Sequence, residues 1–274
     1  MAWTPFTRLD HDRRGQRYTS DMTDAEYALI LPHLPAQPLR GRRRRTDLRA
    51  VVDGIFYVLQ NGCPWANLPK DFPPKSTVYF YFQRFSQDGT WARIHDALYV
   101  ECRDLEGREA QPSAAIIDSQ SVKTGPNACE TVGYDAGKKI KGRKRHILTD
   151  TLGLLLKADV HSAGIQDRDG AARLFAQLTA RFPFLEVIFA DSAYAGPKAQ
   201  QAAPRPLEIV RRSDQAIGFQ ILPKRWIVER TLAWISINRR LARDFERYAK
   251  TAAAYIEIAM IKLMTRRLAR YSHS

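Results

Sequence analysis

Apolar positions recur every three to four residues through the first third of the chain, and this spacing predicts helices. Thr23-Asp-Ala-Glu26 has the spacing of a capping box, so a helix begins near Thr23 and ends before Pro32 and Pro35. A second helix runs from about Thr46 through LRAVVDGIFYVLQN, where Gly62 is placed to stop it. CPWANLPKDFPP holds Pro64, Pro69, Pro73 and Pro74 and reads as a loop. A third helix covers roughly Ser76 to Gln87 and stops at Asp88-Gly89; a fourth runs from about Trp91 to Leu105. Residues 1–20 form a polar arm.

The pattern changes after the polar break EGREAQP at 106–112. A short β-branched strand at about 114–118 leads into a long loop with Gly125, Pro126, Asn127, Gly133 and Gly137. RKRHILTD and LLLKADVH are extended segments joined at Thr151-Leu152-Gly153, a hairpin. Next come a helix at about Asp169 to Arg181, the strand LEVIFA and a short strand near 207–211. Helices at about Pro223 to Glu246 and Thr251 to Arg270 follow. Antiparallel strands first, then strands fed by helices, predict an α/β (α+β) fold with a mixed sheet covered by helices. The expected organisation is the arm 1–20, a helical region 21–106, a sheet domain 113–247 and a C-terminal helix in 248–274 that packs on the core.

Charge adds a partner class. The 274 residues include 43 Lys plus Arg against 29 Asp plus Glu, a net charge of +14. The excess is clustered, at Arg40 and Arg42, Arg43, Arg44 and Arg45, and at Lys138, Lys139, Lys141, Arg143, Lys144 and Arg145. A basic surface of this kind favours a polyanion, nucleic acid or an acidic membrane, and the clustering favours nucleic acid. Helix, turn and helix beside arginines is compatible with a DNA-binding bundle, and equally with a plain bundle and a solvated linker. Cys63, Cys102 and Cys129 are scattered, with no CxxC pair, and read as reduced thiols in a cytosolic protein. No uncharged apolar run approaches the length that spans a bilayer, and no membrane partner is expected.

Three acidic residues carry the chemistry. Asp118 ends AAIID and Asp191 ends VIFAD, both apolar runs where an unpaired charge is costly. Two carboxylates on neighbouring strand ends repel, and a divalent cation removes that penalty; each could instead cap its strand end by accepting backbone N–H groups. Glu229 lies in a helical pattern with Arg225, Ser236, Arg240 and Arg243 within about 40° of it, and with Ile227, Thr231, Trp234, Leu241 and Phe245 opposite. An ordinary Arg225–Glu229 surface pair fits that helix as well. Tyr194 is open between packing and DNA contact. His146 and His161 need no functional role, and Trp65 and Trp91 read as core.

DSQSVKT, GRKRHILTDTLGLLLKADVHSAGIQDRDGA, FADSAYAG and RWIVERTLAWISINRRLARDFE, in this order, resemble bacterial insertion-sequence transposases of the DDE class, as does WANLPKDFPPKSTVYFYFQRFSQDGTW. The likeness runs from about Met22 to Arg247. It implies an RNase H-like core holding two Mg²⁺ ions, with Mn²⁺ able to substitute, on Asp118, Asp191 and Glu229. It also implies hydrolysis at the element's end and transfer of the new 3′-hydroxyl to target DNA. The partners implied are double-stranded DNA, as terminal repeats and as target, and a second copy of the chain, in a bacterial cytoplasm at the nucleoid. Phosphate contacts are expected from Arg42, Arg43, Arg44, Arg45, Lys138, Lys139, Lys141, Arg143, Arg145, Arg225, Arg239, Arg240 and Arg243. Relatives often carry a tyrosine and an arginine before the Glu and a lysine seven residues after it; here Arg225 is kept, with Leu222 and Ser236 at the other two positions. A catalytically silent repressor and a nuclease without strand transfer are the competing readings.

Overall fold

The computed structural model describes residues 12–41, 43–129, 132–176, 178–210 and 225–271. The expectations placed on residues 1–11, Arg42, Leu222 and the first turn of the Glu229 helix, and on the side chain of Arg225, fall outside them.

Helix α1 (Asp24–Ile30) opens on the capping box: the Glu26 N–H donates to the Thr23 hydroxyl, and the Thr23 N–H to the Glu26 carboxylate. Helix α2 (Leu48–Asn61) is capped by Asp47 and ends at Gly62, whose φ of 70° is a left-handed conformation that costs glycine little. Helices α3 (Lys75–Gln87) and α4 (Thr90–Leu105) meet at Asp88-Gly89.

Among the described residues the sheet has six strands: β1 (Ala114–Lys123), β2 (Gly133–Asp135), β3 (Ile140–Thr149), β4 (Leu155–Ser162), β5 (Val187–Ala190) and β6 (Leu207–Ile209). β1 pairs antiparallel with β3 and parallel with β5; β6 continues parallel beyond β5. β2 and β4 share the other edge of β3, both antiparallel. Helix α5 (Asp167–Phe175) packs on β3 and β4, and α8 (Arg225–Ser236) on β1 and β3. Between them lie the short α6 (Leu178–Arg181) and α7 (Pro197–Ala202). After the short α9 (Arg239–Ala242), α10 (Ala249–Tyr271) packs against α1, α4 and β4, so one buried apolar cluster runs from the helical region into the sheet.

Asp150, fully buried at the β3–β4 turn, links these layers. Its carboxylate accepts the N–H groups of Leu152 and Leu154 at 2.9 Å, the Tyr99 hydroxyl at 3.2 Å and an Arg103 guanidinium nitrogen at 2.5 Å. Tyr99 and Arg103 belong to α4, so the hairpin turn and the helical region share one charge-assisted network.

The structure differs from the sequence expectations at four places. β1 continues five residues past Asp118, because Ser119 to Lys123 pair with Gly142 to His146 of β3. The expected loop contains β2. The helix expected over 169–181 is two pieces, α5 and α6. The helix expected to reach Glu246 ends at Ser236: Asn238 is extended, and its amide folds back onto the Trp234 and Ile235 carbonyls, competing with the helix's own bonds. The chain then lies along the end of β1, where the Asp244 N–H donates to Lys123 and its carbonyl accepts from Gly125.

Lys262 of α10 is buried, with its ammonium on Gln60 and Asn238. Burial, with Arg266 and Arg13 nearby and only partly offset by Glu26, pulls its pKa from 10.5 down to about 6. Between those values the unfolded chain binds a proton that the folded chain lacks, so this residue makes stability rise with pH across that window. Lys262→Met is expected to raise stability at pH 7 by about 1–3 kcal/mol and to flatten its pH dependence between pH 6 and 10.5, read by urea denaturation.

Candidate active site

The parallel register of β1 and β5 places the first two carboxylates. Ile116 lies opposite Phe189 in the last pair of the ladder, and the same register continued two residues would bring Asp118 level with Asp191. Asp191 follows the last residue of β5 and caps the single turn Ser192–Tyr194. Each carboxylate is braced by backbone: Asp118 Oδ1 accepts the Ser119 N–H at 2.7 Å, and Asp191 Oδ1 the Ala193 N–H at 2.9 Å. Both are half-buried. The strand-end cap considered from the sequence therefore exists at Asp191.

Side chains alternate along β1, so Asp118 and Gln120 face one way and Ser119 and Ser121 the other. Gln120 meets the Ser236 hydroxyl of α8 at 3.5 Å, which identifies the Asp118 face as the one α8 covers. Glu229 stands two turns before Ser236 on the same flank of α8 and is exposed. The helix is fixed in that position by Ile227, Val228, Leu232 and Ile235, and by the Thr231 hydroxyl, which donates to the Gly153 carbonyl at 2.7 Å. The three carboxylates thus lie on β1, just beyond β5, and on the helix that covers β1. They do not close into a single metal-binding group: among the described residues no three His, Cys, Asp or Glu side chains stand close enough to hold an ion. In kind the donors fit a hard cation, since all are carboxylate oxygens and two occupy neighbouring strands.

The opposite face of β1 carries a buried polar layer that the sequence did not announce. The Ser119 hydroxyl donates to Asp167 at 2.8 Å, and the Lys144 ammonium lies 2.8 Å from the same carboxylate. Ser121 donates to Asp135, and the Lys138 ammonium to the Ser119 carbonyl. Burial alone would raise the pKa of Asp167, but His146, Lys144 and Ser119 outweigh it and hold the carboxylate well below its usual range. The rings of His146 and His161 lie 4.7 Å apart, and burial lowers the pKa of both. Gly170 lets α5 approach them, since a Cβ there would sit 2.5 Å from His161 Nε2. Tyr194 packs on His146 at 5.9 Å, which answers the packing reading. Its phenol is pushed well above the usual range by burial and then by the charges of Asp118, Asp167 and Asp191.

Several basic residues expected on DNA are interior. Arg143 and Arg145 are fully buried. Arg143 pairs with Asp244 at 2.9 Å and donates to the carbonyls of Glu246 and Arg247; Arg145 donates to those of Leu241 and Arg243. Arg240 is buried against Glu246 at 2.6 Å and the Cys63 carbonyl at 3.0 Å. The cause is the end of α8, whose following segment needs donors for its carbonyls. The helix break also removes Arg240 and Arg243 from Glu229's helical face. Arg44 is half-buried on the Pro35 carbonyl. Arg43, Arg45, Lys138, Lys139, Lys141, Arg239 and Arg243 are exposed. Trp91 is core, as expected, and Trp65 packs edge-on against Tyr79.

The mixed sheet, with β1 between antiparallel β3 and parallel β5 and helices packed on it, is an RNase H-like fold. Residues 109–264 match the family model of the transposase DDE domain, and residues 22–95 one described as "Putative transposase of IS4/5 family". The chain belongs to the DDE transposases of the IS4/5 family, which are DNA-acting enzymes that use divalent metal ions. It is 29% identical over 176 residues to the "Putative transposase for insertion sequence element IS402" of Burkholderia cepacia, a span of 58% of this chain and 78% of that protein. It is 30% identical over 108 residues to the "Insertion element IS402 uncharacterized 16.2 kDa protein" of the same organism, over 36% of this chain and 71% of that one. No solved structure matches. No described helix is long and apolar enough to cross a membrane.

Arg145 donates only to interior carbonyls, and burial lowers its pKa to about 10. Arg145→Met is expected to cost about 1–3 kcal/mol of stability while leaving the salt dependence of DNA binding unchanged, whereas Lys139→Ala with Lys141→Ala does the reverse. Denaturation and binding titrations at several salt concentrations separate the two.

Proposed function

We propose that this transposase binds the ends of its own element, hydrolyses a phosphodiester there and joins the resulting 3′-hydroxyl to target DNA. The observation that supports the reading is the β1–β5 register, which, continued two residues beyond the Ile116–Phe189 pair, would bring Asp118 level with Asp191, while Gln120 on the Asp118 face meets Ser236 of α8. Asp118, Asp191 and Glu229 are the residues that would hold Mg²⁺, as two ions shared among three carboxylates. When bound, the metal neutralises phosphate charge and lowers the pKa of the attacking hydroxyl or water.

The chain's own residues set the geometry. Backbone N–H groups of Ser119 and Ala193 each hold one oxygen of the two aspartates, which fixes the orientation in which these carboxylates would hold the metal. Glu229 supplies the third carboxylate from α8, whose exposed flank leaves room for a DNA strand. Water attacks phosphorus, the bond to the 3′ oxygen breaks, and that oxygen leaves protonated; in the second step it attacks a target phosphorus and displaces another 3′ oxygen. Lys138, Lys139 and Lys141, at the β2–β3 turn, and Arg239 and Arg243, beyond α8, are exposed cations that would hold phosphates of the bound strand. Joining requires two ends to be brought together, so a dimer on DNA is the minimum assembly.

Asp118→Asn, Asp191→Asn and Glu229→Gln are each expected to abolish cleavage of a duplex carrying the element's end in Mg²⁺ or Mn²⁺, with end binding retained. Near-normal cleavage by any one variant removes that residue from the site. Strand transfer from pre-cleaved ends distinguishes a transposase from a nuclease that only cuts.

Binding itself is expected to weaken linearly in log salt, with a slope of roughly −0.9 per phosphate neutralised. A flat dependence in a salt titration argues against a phosphate-dominated interface.

A further inference from the structure

Helix α3 has the sequence KSTVYFYFQRFSQ, with no acidic residue in its 13 positions. Its buried side is Val78, Tyr81, Phe82 and Phe85. The outward positions Lys75, Ser76, Tyr79, Phe80, Gln83, Arg84, Ser86 and Gln87 make one continuous stripe. A merely solvated helix face is expected to mix charges of both signs. This one presents two amides, two cations and two large aromatic rings, Tyr79 43% and Phe80 55% exposed. Gln83 is held outward by its amide's bond to the Tyr79 hydroxyl at 3.1 Å.

Two depressions flank the stripe and share Arg84. One, of about 600 Å³, is lined by Phe80, Gln83, Arg84, Gln87 and Asp88. The other, of about 480 Å³, lies under Arg43, Arg44 and Arg45, with Tyr81 and the Pro35–Pro38 turn as its floor. The only acid lining either is Asp88, 3.7 Å from Arg84 in a solvent-exposed pair that a phosphate can displace.

We infer that α3 is the element that enters the major groove of duplex DNA, with Gln83, Arg84 and Gln87 reading base edges and Arg43 and Arg45 gripping the adjoining backbone. This rests on the proposed binding of element ends and goes further by naming the reader. The helix is about 20 Å long and fits a groove about 12 Å wide. A glutamine amide can bond both acceptor and donor of adenine, and a guanidinium both acceptors of guanine. Tyr79 and Phe80 sit where thymine methyl groups pass. α2 and α3 are consecutive helices that pack together, joined by the proline loop at 62–74, which is longer than the tight turn of a helix-turn-helix, so α3 is named as reader by its side chains rather than by that motif. Arginines beside the stripe supply position without sequence information.

The test uses the full-length chain and a pool of duplexes randomised over 20 base pairs, selected in parallel by the wild type, Gln83→Ala with Gln87→Ala, and Arg45→Ala. Gln87 and Arg45 are exposed and Gln83 is half-buried, and matched melting temperatures check the fold. The wild type is expected to enrich one consensus. The glutamine pair is expected to lose preference at one or two positions of it, with discrimination there falling about 5- to 100-fold, while affinity for random duplex stays within about twofold. Arg45→Ala is expected to weaken all sequences alike and to reduce the salt slope by about 1. Unchanged base preferences in the glutamine variant overturn the assignment even if cleavage and end binding are intact. A change in self-association with no change in selectivity overturns it too, and marks the stripe as a protein contact.

Discussion

The parallel pairing of β1 with β5 is the constraint on which the proposed site depends. Only three residue pairs define it, yet it decides which residue stands level with Asp118. A slip of one position would bring Ala190 or Ser192 there and turn the second carboxylate to the other face of the sheet. The apolar side chains that resist such a slip, Ile116, Ile117, Ile188 and Phe189, are buried between helices on both sides. The apolar core and the acidic pair are therefore two consequences of one register.

A second constraint is polar. β3 carries four consecutive basic side chains, Arg143 to His146, all buried and alternating between the faces of the sheet. The arginines tie down the segment that follows α8, and Lys144 and His146 meet Asp167 beneath α5. Buried charge of this kind gives little net stability but strongly penalises any arrangement that breaks it. It therefore selects one seating for α8, the helix that carries Glu229, and one for α5 behind Asp118.

Much of this was legible in the residues. The Thr23–Glu26 capping box, the stop at Gly62 and the hairpin at Gly153 are local signals, and each occurs where its chemistry requires. Asp118 and Asp191 stood out because a carboxylate at the end of an apolar run needs an explanation. What stayed hidden is non-local. The second half of β1 reads Ser-Gln-Ser-Val-Lys and has no apolar alternation, since its partners are the polar residues of β3 and Asp167. Arg143 and Arg145 look like surface charge because the carbonyls they satisfy lie about a hundred residues further along. The end of α8 was invisible because Asn238 is tolerated within a helical pattern, and only its back-bonding shows that the helix stops. Glu229 was found by its neighbours in sequence, while its relation to Asp118 emerges only through Gln120 and Ser236.

The placement of α10 bears on biosynthesis. Its buried face includes Tyr255, Ile256, Met260 and Met264, which complete a cluster begun by Met22 and Ile30. A nascent chain still on the ribosome and lacking these residues would hold the first four helices with their inner surfaces uncovered. Commitment of the helical region to its native state must therefore await synthesis of α10, and a product interrupted before it would be taken by chaperones or proteases rather than persist as a half-competitor for the same DNA.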